Sequence, residues 1–252
     1  MSKNAGFLGC GSVHVSPYVN GAKSNAWFDF DECDKFEIKE NVSEKTRKSK
    51  KCKTYGQLKS QIPIKEPVEL SIAFSTMNKD NFATLFMSEA EDNTIAAGTF
   101  TETVKNVQKG RSVHLAVRNI DPATVSVKSA DGTTTFAVGT DYTIENAKLG
   151  FIALPETSGI PAGDLLIAGD NAESKSVRMV GGSKYDRRYS VKFVGTNLDT
   201  DEPTLVIVHD VRLAPQSGVD FLADDFTMGE LTGKPVLDSE TNETYFVDTE
   251  IT

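Results

Sequence analysis

Two segments of the chain alternate apolar and polar side chains with a period of two, the mark of half-buried strands. In residues 35–42, Phe36, Ile38 and Val42 point one way while Glu37, Lys39 and Asn41 point the other. In residues 68–75, Val68, Leu70, Ile72 and Phe74 oppose Glu69, Ser71, Ala73 and Ser75. Together they predict a long hairpin or an adjacent pair. Between them, residues 45–53 hold six cations, Lys45, Arg47, Lys48, Lys50, Lys51 and Lys53. Charge at that density repels itself and resists burial, which predicts an exposed, mobile loop.

The period changes at 79–88, where Phe82, Leu85 and Phe86 recur at helical spacing behind Asn78, a good N-cap, with Asp80 in the first turn. This predicts one short helix. Residues 189–194 and 205–213 read as strands joined by the acidic turn 196–203. Residues 221–230 read as a short strand or helix and 234–238 as a final strand. The middle has a finer texture, with short strand candidates at 112–117, 124–128, 133–138, 142–144, 150–154 and 164–168 separated by Gly, Asp and Pro turns. That spacing suggests a compact β-sandwich at 107–176, inserted into a domain made of 1–106 and 177–252. The glycine-rich opening, 1–26, has no sustained period and reads as an arm, extended to residue 30 as a domain boundary.

At 252 residues the chain buries a core without disulfides. Cys10, Cys33 and Cys52 lie in no metal-ligand spacing and read as packing or bystander residues of a reduced compartment. The opening lacks a basic stretch followed by an apolar run, and no segment is long and apolar enough to span a bilayer, so neither that export route nor membrane insertion is expected. The net charge of −9 repels phosphate and argues against tight binding of nucleic acid by the whole surface.

Catalytic and cofactor signals are weak. Gly6, Gly9 and Gly11 are spaced unlike a phosphate-binding loop, with no strand signal before them and no helix signal after. Residues 29–40 match several carboxylate positions of a calcium loop, yet Asp34 stands where the glycine of the turn is required. His14, His114 and His209 fall in no zinc motif, and no nucleophile elbow is present. No cofactor or metal is expected, and the chain reads as a non-enzyme that assembles with itself.

The stretches FEIKENVSEKTRKSKK (36–51), TYG (54–56), VELSIAF (68–74), NKDN (78–81), RYSVKFVGTN (188–197) and GVDFLADDF (218–226) resemble the tail tube, or major tail, proteins of bacteriophages with long, non-contractile tails. GTDY (139–142) and LGFIALP (149–155) resemble a β module common in phage tail proteins. The resemblance implies a mainly β fold: a tail-tube β-sandwich or barrel with one flanking helix, plus an inserted immunoglobulin-like domain on the tube exterior. It implies hexameric rings stacked into a hollow tube that conducts double-stranded DNA without binding it tightly. It further implies tape-measure, tail-terminator and distal tail proteins as partners, and a virion location after assembly in the bacterial cytoplasm. A loop at 43–56 would reach the next ring through Lys45, Arg47, Lys48, Lys50, Lys51 and Lys53. Glu37, Glu69, Ser71 and Ser75 are candidates to line an acidic lumen. Two other classes remain: a β-sandwich adhesin or carbohydrate-binding module, and a hydrolase with a carboxylate pair assembled in space.

Overall fold

The computed structural model describes residues 6–249 and is mainly β. Two compact units form, one from the residues up to Ala90 with those from Met179 onward, the other from Glu91–Arg178. The chain enters the first unit through β1 (Gly9–Pro17), β2 (Phe28–Asp29), β3 (Cys33–Lys48), β4 (Leu58–Phe74) and helix α1 (Lys79–Leu85). It then builds β5 (Ala90–Ile95), β6 (Gly98–Val107), β7 (Arg111–His114), β8 (Ser126–Ser129), β9 (Thr143–Asn146), β10 (Phe151–Leu154), β11 (Gly163–Asn171) and β12 (Ser174–Met179). It returns through β13 (Tyr189–Asn197), β14 (Glu202–Pro215), β15 (Gly229–Pro235) and β16 (Tyr245–Thr249).

In the first unit one antiparallel sheet runs in the order β2-β1-β13-β14-β15-β4-β3, with β16 also paired to β14. Its core collects the alternate side chains of the strands: Val13 and Val15 of β1, Leu70, Ile72 and Phe74 of β4, Val191 of β13, and Val208 and Val211 of β14. Phe30 stacks on Phe74 with ring centroids 4.7 Å apart. Helix α1 begins as its cap predicts, with the Asn78 side chain accepting from the backbone N–H of Asp80 and Asn81. It ends three residues short of 88 because Met87 takes a left-handed φ of 46°.

The arm expectation fails between Gly9 and Pro17, which form an interior strand with Val13 and Val15 buried. Residues 1–5 of that expected arm lie outside the described residues. The glycines that suggested an arm serve strand contact instead. Gly11 faces Gly195 across β1 and β13. A Cβ on Gly195 would sit 2.3 Å from the Cys10 carbonyl oxygen, and one on Gly11 2.4 Å from that of Val194. Residues 221–228 form neither strand nor helix, and β16 lies where no strand is expected.

The second unit holds two three-stranded antiparallel sheets, β7-β10-β9 and β6-β11-β8, and the two-stranded ribbon β12-β5. Leu115, Val127, Ile152, Ile160, Leu165 and Ile167 fill its core. It starts earlier than 107, because β5 and β6 belong to it. Their sequences are so polar that Phe100 and Val107 are the buried residues of β6. The candidate at 133–138 is reduced to isolated bridges at Thr135 and Val138.

Segment 18–27 is tied down by ion pairs. Arg188 donates two hydrogen bonds to the buried Asp210 carboxylate and lies 4.4 Å over the Tyr18 ring. Lys23 Nζ lies 2.8 Å from Asp238 Oδ1, while the Thr241 N–H and hydroxyl donate to Asp238 Oδ2. The lysine first, and then the Thr241 donors, hold the Asp238 carboxyl far below the ordinary carboxylate range. A lowered folded-state value contributes stability that is complete above about pH 5 and is lost progressively as pH falls through the unfolded value of about 4 toward the folded one. Asp238→Asn should therefore flatten the fall in thermal midpoint between about pH 5 and pH 3, measured by circular dichroism. Gly195→Val should lower stability by about 1–3 kcal/mol through overpacking, read from urea denaturation of the purified chain.

Candidate assembly surface

β3 and β4 are register partners from Cys33 against Phe74 to Lys48 against Leu58. Only the inner half of this hairpin has a third strand, since β15 pairs β4 from Leu70 to Phe74. Among the described residues the outer half, 41–66, has no third strand and forms a two-stranded ribbon. A bulge at 39–41 marks the transition, and Asn41 Nδ2 donates to the Pro67 carbonyl there at 3.2 Å. Pro63 and Pro67 sit in β4 where it has no partner on its far side, the setting that tolerates a residue without an N–H. Alternation no longer yields a buried face: Val42 is 62%, Leu58 56%, Ile62 63% and Tyr55 76% exposed. Full burial of a Val, Leu or Ile side chain is worth about 1.5–3 kcal/mol, so covering this ribbon is strongly favourable.

The mobile-loop expectation for 45–53 is corrected in part. Lys45, Arg47 and Lys48 belong to β3, and only 49–57 turn. The turn is organised by a 3-10 segment, Cys52–Thr54, by the Gly56 N–H donating to the Ser49 carbonyl, and by Gly56 at φ 84°. Arg47, Lys48, Lys50, Lys51, Tyr55 and Lys59 surround a concave cup of about 960 Å³. Residues 41–66 carry eight cations against two carboxylates, a net +6 within a chain of −9, which leaves −15 for the rest. Among the described residues, no carboxylate lies within 4.0 Å of Lys45, Arg47, Lys48, Lys50, Lys51, Lys53 or Lys59.

The opposite end of the same strands is acidic. Asp29, Asp31, Glu32 and Asp34 surround the start of β3. The loop between β14 and β15 adds Asp220, Asp224 and Asp225 and exposes Phe221 by 75%, Leu222 by 91% and Phe226 by 93%. Cys33, Phe74 and Gly229 are register partners, so this loop enters the sheet beside the start of β3. At about 3.3 Å per residue, that end lies roughly 50 Å from Lys48.

The sequence profile of a family described as "Protein of unknown function UCP028589" matches residues 6–245. The chain belongs to that family. No curated protein matches it. The matched span covers β1 through the start of β16 and includes the hairpin, the acidic loop and the whole second unit, so the family pattern contains all of them.

In this family member three of the four lumen candidates share a face. Glu37 faces Ser71, and Glu69 faces Lys39. The face continues through Thr232 and Lys234 of β15 to Arg212 of β14. Ser75 lies beyond β4, where its N–H donates to the Glu32 carbonyl. The face is mixed in sign, because Lys35, Lys39, Arg212 and Lys234 lie among Glu37, Glu69 and Glu230. Lys35 lies 2.8 Å from Glu37, and its hydrogen bond holds that carboxyl below the ordinary range.

The other candidate chemistries stay apart. His14 is 4.0 Å from Asp29, His114 stacks on Phe151, and His209 packs against Phe246, its buried Nε2 lying 3.8 Å from Glu243 Oε2, beyond hydrogen-bond distance. Among the described residues no group of three or more His, Cys, Asp or Glu side chains converges in a metal-like cluster. Residues 29–40 do not close as a calcium loop, since β3 begins at Cys33. Gly9 and Gly11 lie inside β1. A second cleft, about 760 Å³, is lined by Phe36, Ile38, Phe193, Val206, Tyr245 and Val247, with Asp34 and Lys35 also on its walls.

Cys10 and Cys52 are exposed, whereas Cys33 is half-buried and burial pushes its thiol up to about 12. At pH 8 two thiols per chain should react rapidly with an aromatic disulfide reagent and the third slowly, followed by absorbance. Rapid loss of all three would contradict the packing around Cys33.

Proposed function

We propose that this chain is a structural subunit of a long, non-contractile phage tail, in which hexameric rings stack into a hollow tube that conducts DNA. The observation that carries this reading is the outer half of the β3–β4 hairpin: an uncovered ribbon with open apolar side chains and a net +6, attached to an otherwise acidic body. A two-stranded ribbon alone is marginal in water, and a long uncovered edge invites pairing, so such an element is stabilised by a partner. The acidic remainder supplies a surface of the opposite sign on every further copy. The resemblance of 36–51, 68–74 and 188–197 to tail tube proteins supports the identity of the assembly.

In this reading the first unit is the tail-tube β domain, and the second, with two sheets on one core, is its immunoglobulin-like insertion. Tape-measure, tail-terminator and distal tail proteins are its further partners in the virion. DNA passes without tight binding because the net charge opposes phosphate. Glu37, Glu69 and Ser71, on one mixed-sign sheet face, suit a lining that neither holds nor strongly repels the duplex. No described helix is long and apolar enough to cross a membrane.

Negative-stain electron microscopy of the purified chain at low and high concentration tests this reading. Rings or hollow tubes of uniform width are expected, and a monomer at every concentration, including in the presence of preformed tail tips, would refute it. Reversal of Lys48, Lys50 and Lys51 to Glu should shorten or abolish tubes while leaving thermal stability within about 0.5 kcal/mol, the usual range for exposed sites.

A further inference from the structure

Resting on that assembly reading, we infer that the cationic cup at the hairpin tip is the receptor for residues 219–228 of the next copy. That segment, V-D-F-L-A-D-D-F-T-M, interleaves three carboxylates with the almost fully exposed Leu222 and Phe226 and with Phe221, whose largely exposed ring stacks on Phe86 at 6.2 Å. It is a folded projection: Asp220 Oδ1 accepts from the Leu222 N–H at 2.9 Å, and the Thr227 hydroxyl donates to the Asp220 carbonyl at 3.0 Å. Among the described residues, no cation lies within 4.0 Å of Asp220, Asp224 or Asp225. A surface of this kind needs a receptor that offers both positive charge and apolar contact.

Three exposed apolar sites on the same chain can be compared as receptors. Phe7, Leu8 and Leu198 lie beside Asp199, which repels the segment. The cleft lined by Phe36 and Phe193 has one Asp and one Lys on its walls and therefore no charge preference. The hairpin tip combines Arg47, Lys48, Lys50, Lys51 and Lys59 with Tyr55 in the cup and Leu58 and Ile62 next to it. Only this last site matches the segment in both respects. Cup and segment lie at opposite ends of β3 and β4, roughly 50 Å apart, so one copy cannot satisfy itself. In the stacked assembly the contact is head-to-tail, and head-to-tail contacts propagate as rings or as open stacks.

A fluorescent peptide of residues 218–228, titrated with the dispersed full-length chain and followed by anisotropy, tests the pairing. Saturable binding is expected, weakened at least about tenfold by the combined Arg47→Glu, Lys48→Glu and Lys51→Glu variant. A peptide carrying Asp220→Lys, Asp224→Lys and Asp225→Lys should recover binding to that variant. Absence of saturable binding, equal binding by the reversed peptide to the unmodified chain, or binding of a short DNA duplex in place of the peptide overturns the inference. For the assembled state, Ala223→Cys in a Cys10→Ser, Cys33→Ser background should crosslink to Cys52 of the next copy through a short bismaleimide, giving a ladder of multimers. Tubes that form without such a ladder also overturn the inference while leaving the tube reading intact. Peptide binding by a chain that never assembles would refute the tube and keep the contact.

Discussion

Everything distinctive about the first unit depends on how β4 is rooted. Its last five residues lie between β3 and β15 and insert Leu70, Ile72 and Phe74, all without solvent exposure, into the core. Phe74 fits because Gly229 leaves room for its ring: a Cβ there would come within 2.6 Å of it. Burying three large side chains is worth several kcal/mol, and the same backbone runs on without a break into the exposed ribbon. The core thus fixes the direction of a projection that has no core of its own.

The charge distribution follows the same geometry. Cations gather at the far end of two long strands, and carboxylates gather at the near end and over the rest of the body. Within one copy, and among the described residues, this separation leaves the cations of the hairpin tip and Asp220, Asp224 and Asp225 without an ion-pair partner. It also sets a polarity, so that one end of a copy complements the other end of its neighbour and repels its own kind.

Much of the sheet was legible in the sequence because its strands are buried on one face. Phe36, Ile38, Leu70, Ile72 and Phe74 carry the period of two plainly, and Asn78 with Phe82 marks the helix start. β1 was hidden, although Val13 and Val15 alternate with Ser12, His14 and Ser16. Glycines that meet the backbone of β13 resemble loop residues until their partner, Gly195, is seen opposite. β5 and β6 were missed because so few of their side chains enter the core, leaving little hydrophobic signal. At the candidate surface the cations were visible at once, but their division between strand and turn was not, since a ribbon exposed on both faces has no alternation to read. Nor does any linear pattern reveal that residues 220–225 and the start of β3 share one end of the sheet. That follows from the register joining Cys33, Phe74 and Gly229.

The prolines at 63 and 67 bear on a hazard that any exposed ribbon carries. A long, flat ribbon with Val42, Leu58 and Ile62 in water is a template for indiscriminate strand addition, the route to amorphous or fibrous aggregates. Two positions in β4 that lack a backbone donor interrupt the hydrogen-bond ladder an intruding strand would need. The projection can then be recognised through its side chains while its backbone refuses to template growth. If the chain assembles as proposed, the same two prolines keep a newly made copy dispersed until its neighbour arrives.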